Sequence, residues 1–303
     1  MSIRVRRLSS GLGAEILGAD LTRTLGDDEI AAIRRAWIDH NVLLIRDQDI
    51  SPAQHIAFSA RFGTLEDHAA MYRFRHPEHA EIFIITTRPN ADGSPSDTRE
   101  TGSAWHADMT FMPDPLAFTI LRAVELPSIG GDTMWANAAA AYQCLPGPLK
   151  LLADNLWSLQ TSDFDWEGAY NEDRRAIIRR SSKEDSISAR ERLVVRTEHP
   201  VVLVHPETGE PSLLVGPDVK RFIDLNNTDS GKILEILQSY VTMPENTVRW
   251  SWRLGDVAMW DNIMTQHRSV PDHGDDRRVL RRTALRGSVL SGIDGSKSRR
   301  LED

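Results

Sequence analysis

Residues 247–262, "TVRWSWRLGDVAMWDN", set the tightest limit on the fold. Val248, Trp250 and Trp252 alternate with Arg249, Ser251 and Arg253, the period of a strand with one buried face. Gly255–Asp256 then turns the chain into the apolar run "VAMW". Similar short runs recur: "EIFIITT" at 81–87, "AFTILRAVEL" at 117–126, "TMW" after the turn "GGDT", "HPVVLVHPETGEPSLLV" at 199–215 and "RRVLRRTALRGSVL" at 277–290. Many short strands joined by turns, with a few helices outside them, describe a mainly β sandwich or barrel.

The helices are few. In "LGDDEIAAIRRAWIDHN", Ile30, Ile33, Trp37 and Ile38 fall at helical spacing behind Asp27 and Asp28, acids suited to a helix N-terminus. "SPAQHIAFSARFG" opens with Ser51 as N-cap, Pro52 at the first helical position and Gln54 closing a capping box. Gly63 is the expected stop. Further helix is expected from about Asn137 to Asp154 and near residues 230–241. Residues 88–104 form a long polar loop placed as a lid, and 161–195 a charged excursion with little core signal. We expect one domain over residues 1–290 and a disordered tail, "DGSKSRRLED", within 291–303.

Composition narrows the function. The 303 residues are 40% hydrophobic and 26% charged, with a formal net charge of −8. That balance argues against a general nucleic-acid-binding role. The lone cysteine, Cys144, removes any intrachain disulfide framework and any cysteine-rich metal site. A metal would have to be held by His, Asp and Glu. The first residues, "MSIRVRRLSSGLGAEI", lack the apolar core of a signal peptide, and no run is long enough to span a membrane. A cytoplasmic protein is expected.

Ten histidines make His-x-Asp and His-x-Glu pairs common by chance. His273–Gly274–Asp275, His76–Pro77–Glu78 and His205–Pro206–Glu207 read as polar surface pairs. His106 and Asp108, in "SAWHADMTFM", differ in context: they follow the long loop and precede an apolar stretch. In extended chain, residues i and i+2 point the same way, so both can reach one ion. His267, 161 residues later in "WDNIMTQHRSV", offers a third ligand. Two histidines and one aspartate suit the facial triad of a non-haem Fe(II) oxygenase; zinc could use the same set.

The strand "RRVLRRTALRG" is the second informative stretch. Alternation puts Arg278, Arg282 and Arg286 on one face, and Arg277 and Arg281 with Thr283 on the other. A buried guanidinium is costly unpaired and well shaped for a carboxylate or sulfonate. A solvated edge strand is the other reading.

"WHADMTF", "GGDTMW", "WDNIMTQHRSV" and "DDRRVLRRTALRG", in this order and spacing, resemble the motif series of the taurine dioxygenase / phenoxyacetate dioxygenase (TauD/TfdA) family. The resemblance runs from about Leu12 to Gly287. It implies a double-stranded β-helix, a cupin-like jelly roll, and a dioxygenase that uses Fe(II), 2-oxoglutarate and O2. It implies that His106, Asp108 and His267 hold the iron, and that Arg278 and Thr133 bind the distal carboxylate of 2-oxoglutarate. It places Arg282 and, by a looser alignment, His68 on a small anionic substrate, and it implies a homo-oligomer. A carboxylate ligand at Asp108 fills the position that halogenating relatives leave to chloride, so hydroxylation is expected. Trp105 either shields the site or is a core aromatic. The taurine enzyme has asparagine three residues before its "WH" tryptophan; here the residue is Gly102. The substrate class therefore stays open among sulfonates, sulfate esters, aryloxyalkanoates and modified amino acids. The competing functions are a Zn(II) hydrolase at the same triad and a non-catalytic jelly-roll module that senses an anion.

Overall fold

The computed structural model describes residues 3–67, 74–87, 102–162, 194–274 and 276–302. The expected 88–104 lid, up to residue 101, and most of the 161–195 excursion lie outside the described residues, as does His68.

A seven-stranded sheet forms the main wall. Its strands are β1 (Arg4–Arg7), β2 (Ala14–Leu17), β3 (Val42–Ile45), β4 (Phe83–Thr86), β5 (Phe118–Glu125), β13 (Val257–Asp261) and β15 (Val279–Leu285), in the spatial order β1-β2-β3-β13-β5-β15-β4. Only β2 and β3 pair in parallel. A second sheet, β12-β6-β14, is built from β6 (Thr133–Asn137), β12 (Thr247–Trp250) and β14 (Thr265–Ser269). The mainly β architecture is the expected jelly roll.

The period-2 alternation of the strands creates two cores back to back. Leu43 and Ile45, Phe118 and Ile120, Val257 and Met259 point outward from the main sheet. There they meet Ile30, Ile33 and Trp37 of helix α1 (Asp27–His40) and Phe58 of helix α2 (Pro52–Ser59). The alternate residues, Val42 and Leu44, Leu121 and Ala123, Ala258 and Trp260, and Leu280, point inward. They pack on Trp135 of β6 and Trp250 of β12. Trp135 and Trp260 are almost completely buried, and their rings lie 5.7 Å apart. One stripe of each strand thus anchors the helices, and the other fills the barrel beside the site.

The Ser51–Gln54 capping box forms as expected. Helix α2 nevertheless ends at Ser59, before Gly63, in a turn where Arg61 N–H donates to Phe58 O and Phe62 N–H to Ser59 O. The helical stretch after Asn137 divides into α3 (Ala138–Cys144) and α4 (Gly147–Asp154) at Pro146, whose ring cannot sit in a continuous helix. With α5 (Asn227–Val241) these helices share a third core.

The C-terminal residues correct the expectation of a disordered tail. β16 (Ser291–Gly292) pairs with β9 (Val202–Val204), itself paired with β10 (Pro211–Leu213). β17 (Arg299–Arg300) pairs with β8 (Arg196–Pro200), which continues into β7 (Trp157–Thr161) and β11 (Val219–Phe222). Between them Ser298 is buried, its hydroxyl 2.6 Å from His199 Nδ1. The segment looks disordered because it is polar, yet polar side chains can be buried when each finds a partner. Removing one partner of a buried pair costs about 1–3 kcal/mol. Ser298→Ala should lower the unfolding free energy in urea by that amount; a loose tail would leave it unchanged.

Candidate metal centre

The centre is assembled by a backbone contact outside the strand ladders, between β14 and the segment around His106. His106 and His267 form an isolated antiparallel bridge. His106 N–H donates to His267 O at 3.0 Å, and His267 N–H to His106 O at 2.8 Å. This doubly bonded register puts the two side chains on one face, with ring centroids 4.2 Å apart. Asp108, two residues on, joins them: its Oδ1 lies 4.0 Å from His106 Nε2 and 4.0 Å from His267 Nε2. The three donor atoms all lie within 4.8 Å of one another.

Each donor is held. His106 Nδ1 lies 2.8 Å from Ala104 O, so the proton sits on Nδ1 and the Nε2 lone pair faces the centre. The Asp108 backbone is gripped at both polar atoms by Asn262. Asp108 N–H donates to Asn262 Oδ1 at 2.8 Å, and Asn262 Nδ2 donates to Asp108 O at 2.9 Å and to Leu116 O at 2.9 Å. The Thr119 hydroxyl donates to Asp108 Oδ2 at 3.2 Å. Nothing local in the sequence marks Asn262 or Thr119, although Asn262 stands inside "WDN".

Electrostatics prepare the set for a cation. Burial opposes ionisation of Asp108, but the Arg282 guanidinium, with His267 and His106, outweighs it and holds the carboxyl well below the usual range. Burial, then His106, pushes His267 down to about 3. Near neutral pH the centre therefore presents a carboxylate and a neutral His267 imidazole, the forms that bind a metal. Bonds of about 2.1 Å, as zinc makes to nitrogen, put adjacent octahedral donors ~3 Å apart. The donor chemistry fits a first-row divalent ion, which would draw Asp108 and the imidazoles together.

Two arginines, Arg278 just before the last long strand and Arg282 within it, alternate onto the same side. Arg278 and Arg282 are both buried, as the alternation requires, whereas Arg286 lies beyond the strand, exposed beside Glu66. Arg277 pairs with Glu125 on the surface. Arg278 Nη2 donates to the Thr133 hydroxyl at 3.3 Å, and Trp252 Nε1 donates to that hydroxyl at 3.0 Å. The Thr133 proton is thus free for an acceptor. Arg278 Nε has no partner among the described residues. Burial, opposed by Asp132, lowers the Arg278 pKa to about 10, so the group stays charged. Gly131, at φ +73°, makes room for it, since a β-carbon there would lie 3.2 Å from Arg278 Cδ. Arg282 Nη1 donates to Asp108 Oδ1 at 2.7 Å, and its guanidinium carbon stands 4.6 Å from the centroid of the Phe83 ring.

The other marked residues separate. Trp105 packs on the α3–α5 core, the core-aromatic reading. Gly102 O accepts from Ser269 N–H at 2.6 Å, extending the bridge by which His106 meets His267. His205 is no surface residue: it is buried, with Nε2 2.9 Å from Asp261 Oδ2. Asp261 Oδ1 in turn accepts from Ile263 and Met264 N–H, shaping the turn that carries Asn262. His76, Glu78 and His79 form a second cluster of possible ligands, but His76 Nδ1 accepts from Glu78 N–H at 3.2 Å. In the neutral ring that leaves the proton on Nε2, so His76 has no lone pair facing outward.

A jelly roll that gathers two imidazoles and a carboxylate on one side carries the donor set of the non-haem Fe(II) oxygenases. The family model "Taurine catabolism dioxygenase TauD, TfdA family" matches residues 4–284, and the chain belongs to that family. An alkylsulfatase of Acinetobacter baylyi is 37% identical over 304 residues, covering 98% of this chain and 89% of that protein. An alpha-ketoglutarate-dependent sulfate ester dioxygenase of Pseudomonas putida is 37% identical over 300 residues, covering 99% of this chain and 94% of that one. A taurine dioxygenase structure from Burkholderia xenovorans superposes with a TM-score of 0.81 at 35% identity, covering 100% of this chain and 96% of that one. This chain is accordingly an Fe(II)- and 2-oxoglutarate-dependent dioxygenase, and neither a zinc hydrolase nor an anion-sensing module.

Asn262→Ala should free the Asp108 backbone and weaken Mn(II) binding about 10–100-fold, the usual loss when a ligand's supporting partner goes. Titration calorimetry reads this directly; an unchanged affinity would mean that Asn262 does not position Asp108.

Proposed function

We propose that the enzyme oxidises small organic sulfate esters, with His106, Asp108 and His267 holding Fe(II), Arg278 and Thr133 holding 2-oxoglutarate, and Arg282 receiving the substrate's anionic end. The observation that carries this reading is a His–Asp–His donor set whose aspartate accepts from buried Arg282, with a second buried arginine, Arg278, bonded to Thr133. The 37% identity to an alkylsulfatase and to a sulfate ester dioxygenase favours sulfate esters over the other anions. Gly102, in place of the asparagine of the taurine enzyme, agrees with that preference.

When bound, Fe(II) and 2-oxoglutarate together activate O2 for C–H hydroxylation, with 2-oxoglutarate leaving as succinate and CO2. The chain's own residues bind and orient. Arg278 offers a buried, charged fork for a bidentate carboxylate pair, and Thr133 supplies a hydroxyl proton beside it. The low-polarity surroundings of Arg278 make that pair strong and the unpaired state costly. Arg282 aligns a sulfate so that the carbon bearing it faces the metal; positioning of this kind is what the protein contributes to such a reaction. Hydroxylation at that carbon gives an unstable adduct that breaks to an aldehyde and inorganic sulfate. Because Asp108 supplies a carboxylate ligand, the product is hydroxylated and not halogenated. We further propose that the catalytic domain takes in the C-terminal strands, that His68 contacts substrate, and that the enzyme is a cytoplasmic homo-oligomer. Among the described residues no helix is long and apolar enough to cross a membrane.

Anaerobic protein given Fe(II) and 2-oxoglutarate should develop a visible metal-to-ligand charge-transfer band. Admission of O2 with a medium-chain alkyl sulfate should then release succinate and sulfate in equal amounts, with taurine a poor substrate. Succinate formation coupled to taurine or an aryloxyalkanoate, and not to any alkyl sulfate, would overturn the substrate assignment. His106→Ala should abolish turnover. Arg278→Ala should raise the KM for 2-oxoglutarate at least tenfold, about 1.4 kcal/mol of lost binding, and leave the KM for alkyl sulfate little changed.

A further inference from the structure

Arg282 and a metal ion have a claim on the same atom. The oxygen that accepts from Arg282 Nη1 at 2.7 Å is Asp108 Oδ1. It is also the oxygen that stands 4.0 Å from both imidazole Nε2 atoms. A bound dication would have to share that oxygen with a guanidinium, or take it over. Arg278 lies differently: its Nη2 donates to the Thr133 hydroxyl.

The contact between Arg282 and Asp108 is buried on both sides, with side chains 9% and 8% exposed. Water therefore screens the charges little, and both the attraction to Asp108 and the repulsion from a dication are strong. Arg282 also has bonding capacity to spare. A guanidinium carries five N–H donors, and Arg282 Nε, although buried, has no partner among the described residues. A second anion could therefore engage the guanidinium, and in doing so offset its charge and draw its fork from Asp108.

We propose that Arg282 competes with the metal for Asp108 and that an anionic substrate relieves the competition, so that metal and substrate bind cooperatively. This rests on the assignment of His106, Asp108 and His267 as metal ligands and of Arg282 as the substrate's anion partner. Linkage makes the effect reciprocal: the factor by which the anion tightens the metal equals the factor by which the metal tightens the anion. The consequence separates this role from the ordinary one. A residue that merely orients a ligand supports metal binding, and its loss weakens the metal about 10–100-fold. A competitor's loss leaves the metal bound as tightly as before, or more tightly.

The test uses full-length protein stripped of metal by a chelator and titrated with Mn(II) in the absence of 2-oxoglutarate. Free Mn(II) is followed by electron paramagnetic resonance, with and without saturating hexyl sulfate. In the wild type, hexyl sulfate should lower the Mn(II) dissociation constant at least about fivefold, the lower end of typical coupling between sites. Saturating Mn(II) should lower the hexyl sulfate constant by the same factor. In Arg282→Gln the anion effect should vanish, and Mn(II) alone should bind at least as tightly as in the wild type. A wild-type Mn(II) affinity unmoved by bound hexyl sulfate overturns the proposal without any variant, as does a tenfold weaker Mn(II) affinity in folded Arg282→Gln. Succinate release is measured separately. Turnover of hexyl sulfate without the Mn(II) effect removes the coupling and leaves the activity; the Mn(II) effect without turnover does the reverse.

Discussion

Two reciprocal hydrogen bonds between His106 and His267 carry the centre. They join the segment around His106 to β14, and they fix both imidazoles on one face. Every other part of the site is referred to that bridge. Asp108 reaches the same point because it lies two residues further along extended chain, and Asn262 fastens its backbone so that it cannot rotate away. The buried pair of His205 and Asp261 then supports the turn that carries Asn262. The backbones of His106, Asp108 and His267 are thus fixed by hydrogen bonds, and an ion has only to draw the side-chain donors closer together.

β15 shows how one strand serves two surroundings. Arg278, just before it, and its inward residues Leu280 and Arg282 belong to the barrel and the site, while Leu285 belongs to the core beneath α1 and α2. On that outer face Thr283 meets the Ser59 hydroxyl and His55 of α2. The apolar contacts on one side fix the height and rotation of the strand, and so fix where the guanidinium groups on the other side arrive. Precision at the site is a by-product of packing on the far face.

What could be read in advance divides by range. The strands around Trp250 and Trp260, the Ser51 capping box and the inward pair Arg278 and Arg282 all follow from spacing within a few residues, and each is legible. Asn262, Thr119 and the burial of His205 depend on partners far off in sequence, and nothing local marks them. The C-terminal strands illustrate the same limit: two residues each are too few to show a period, and Ser298 becomes a buried residue only because His199 waits for it. The end of α2 at Ser59 is likewise set by the packed turn that follows, where Gly63 alone suggests a longer helix. The stretches 88–101 and 163–193 fall outside the described residues.

The bridge spans 161 residues of chain. During synthesis His106 and Asp108 emerge first, and at about 5–20 residues per second they wait roughly 10–30 s for His267. Arg278, Arg282 and the closing C-terminal strands come later still. A nascent chain therefore carries two of the three donors and cannot close the site until His267 has followed. The order of the ligands along the polypeptide makes the closed site depend on β14, however early His106 and Asp108 appear.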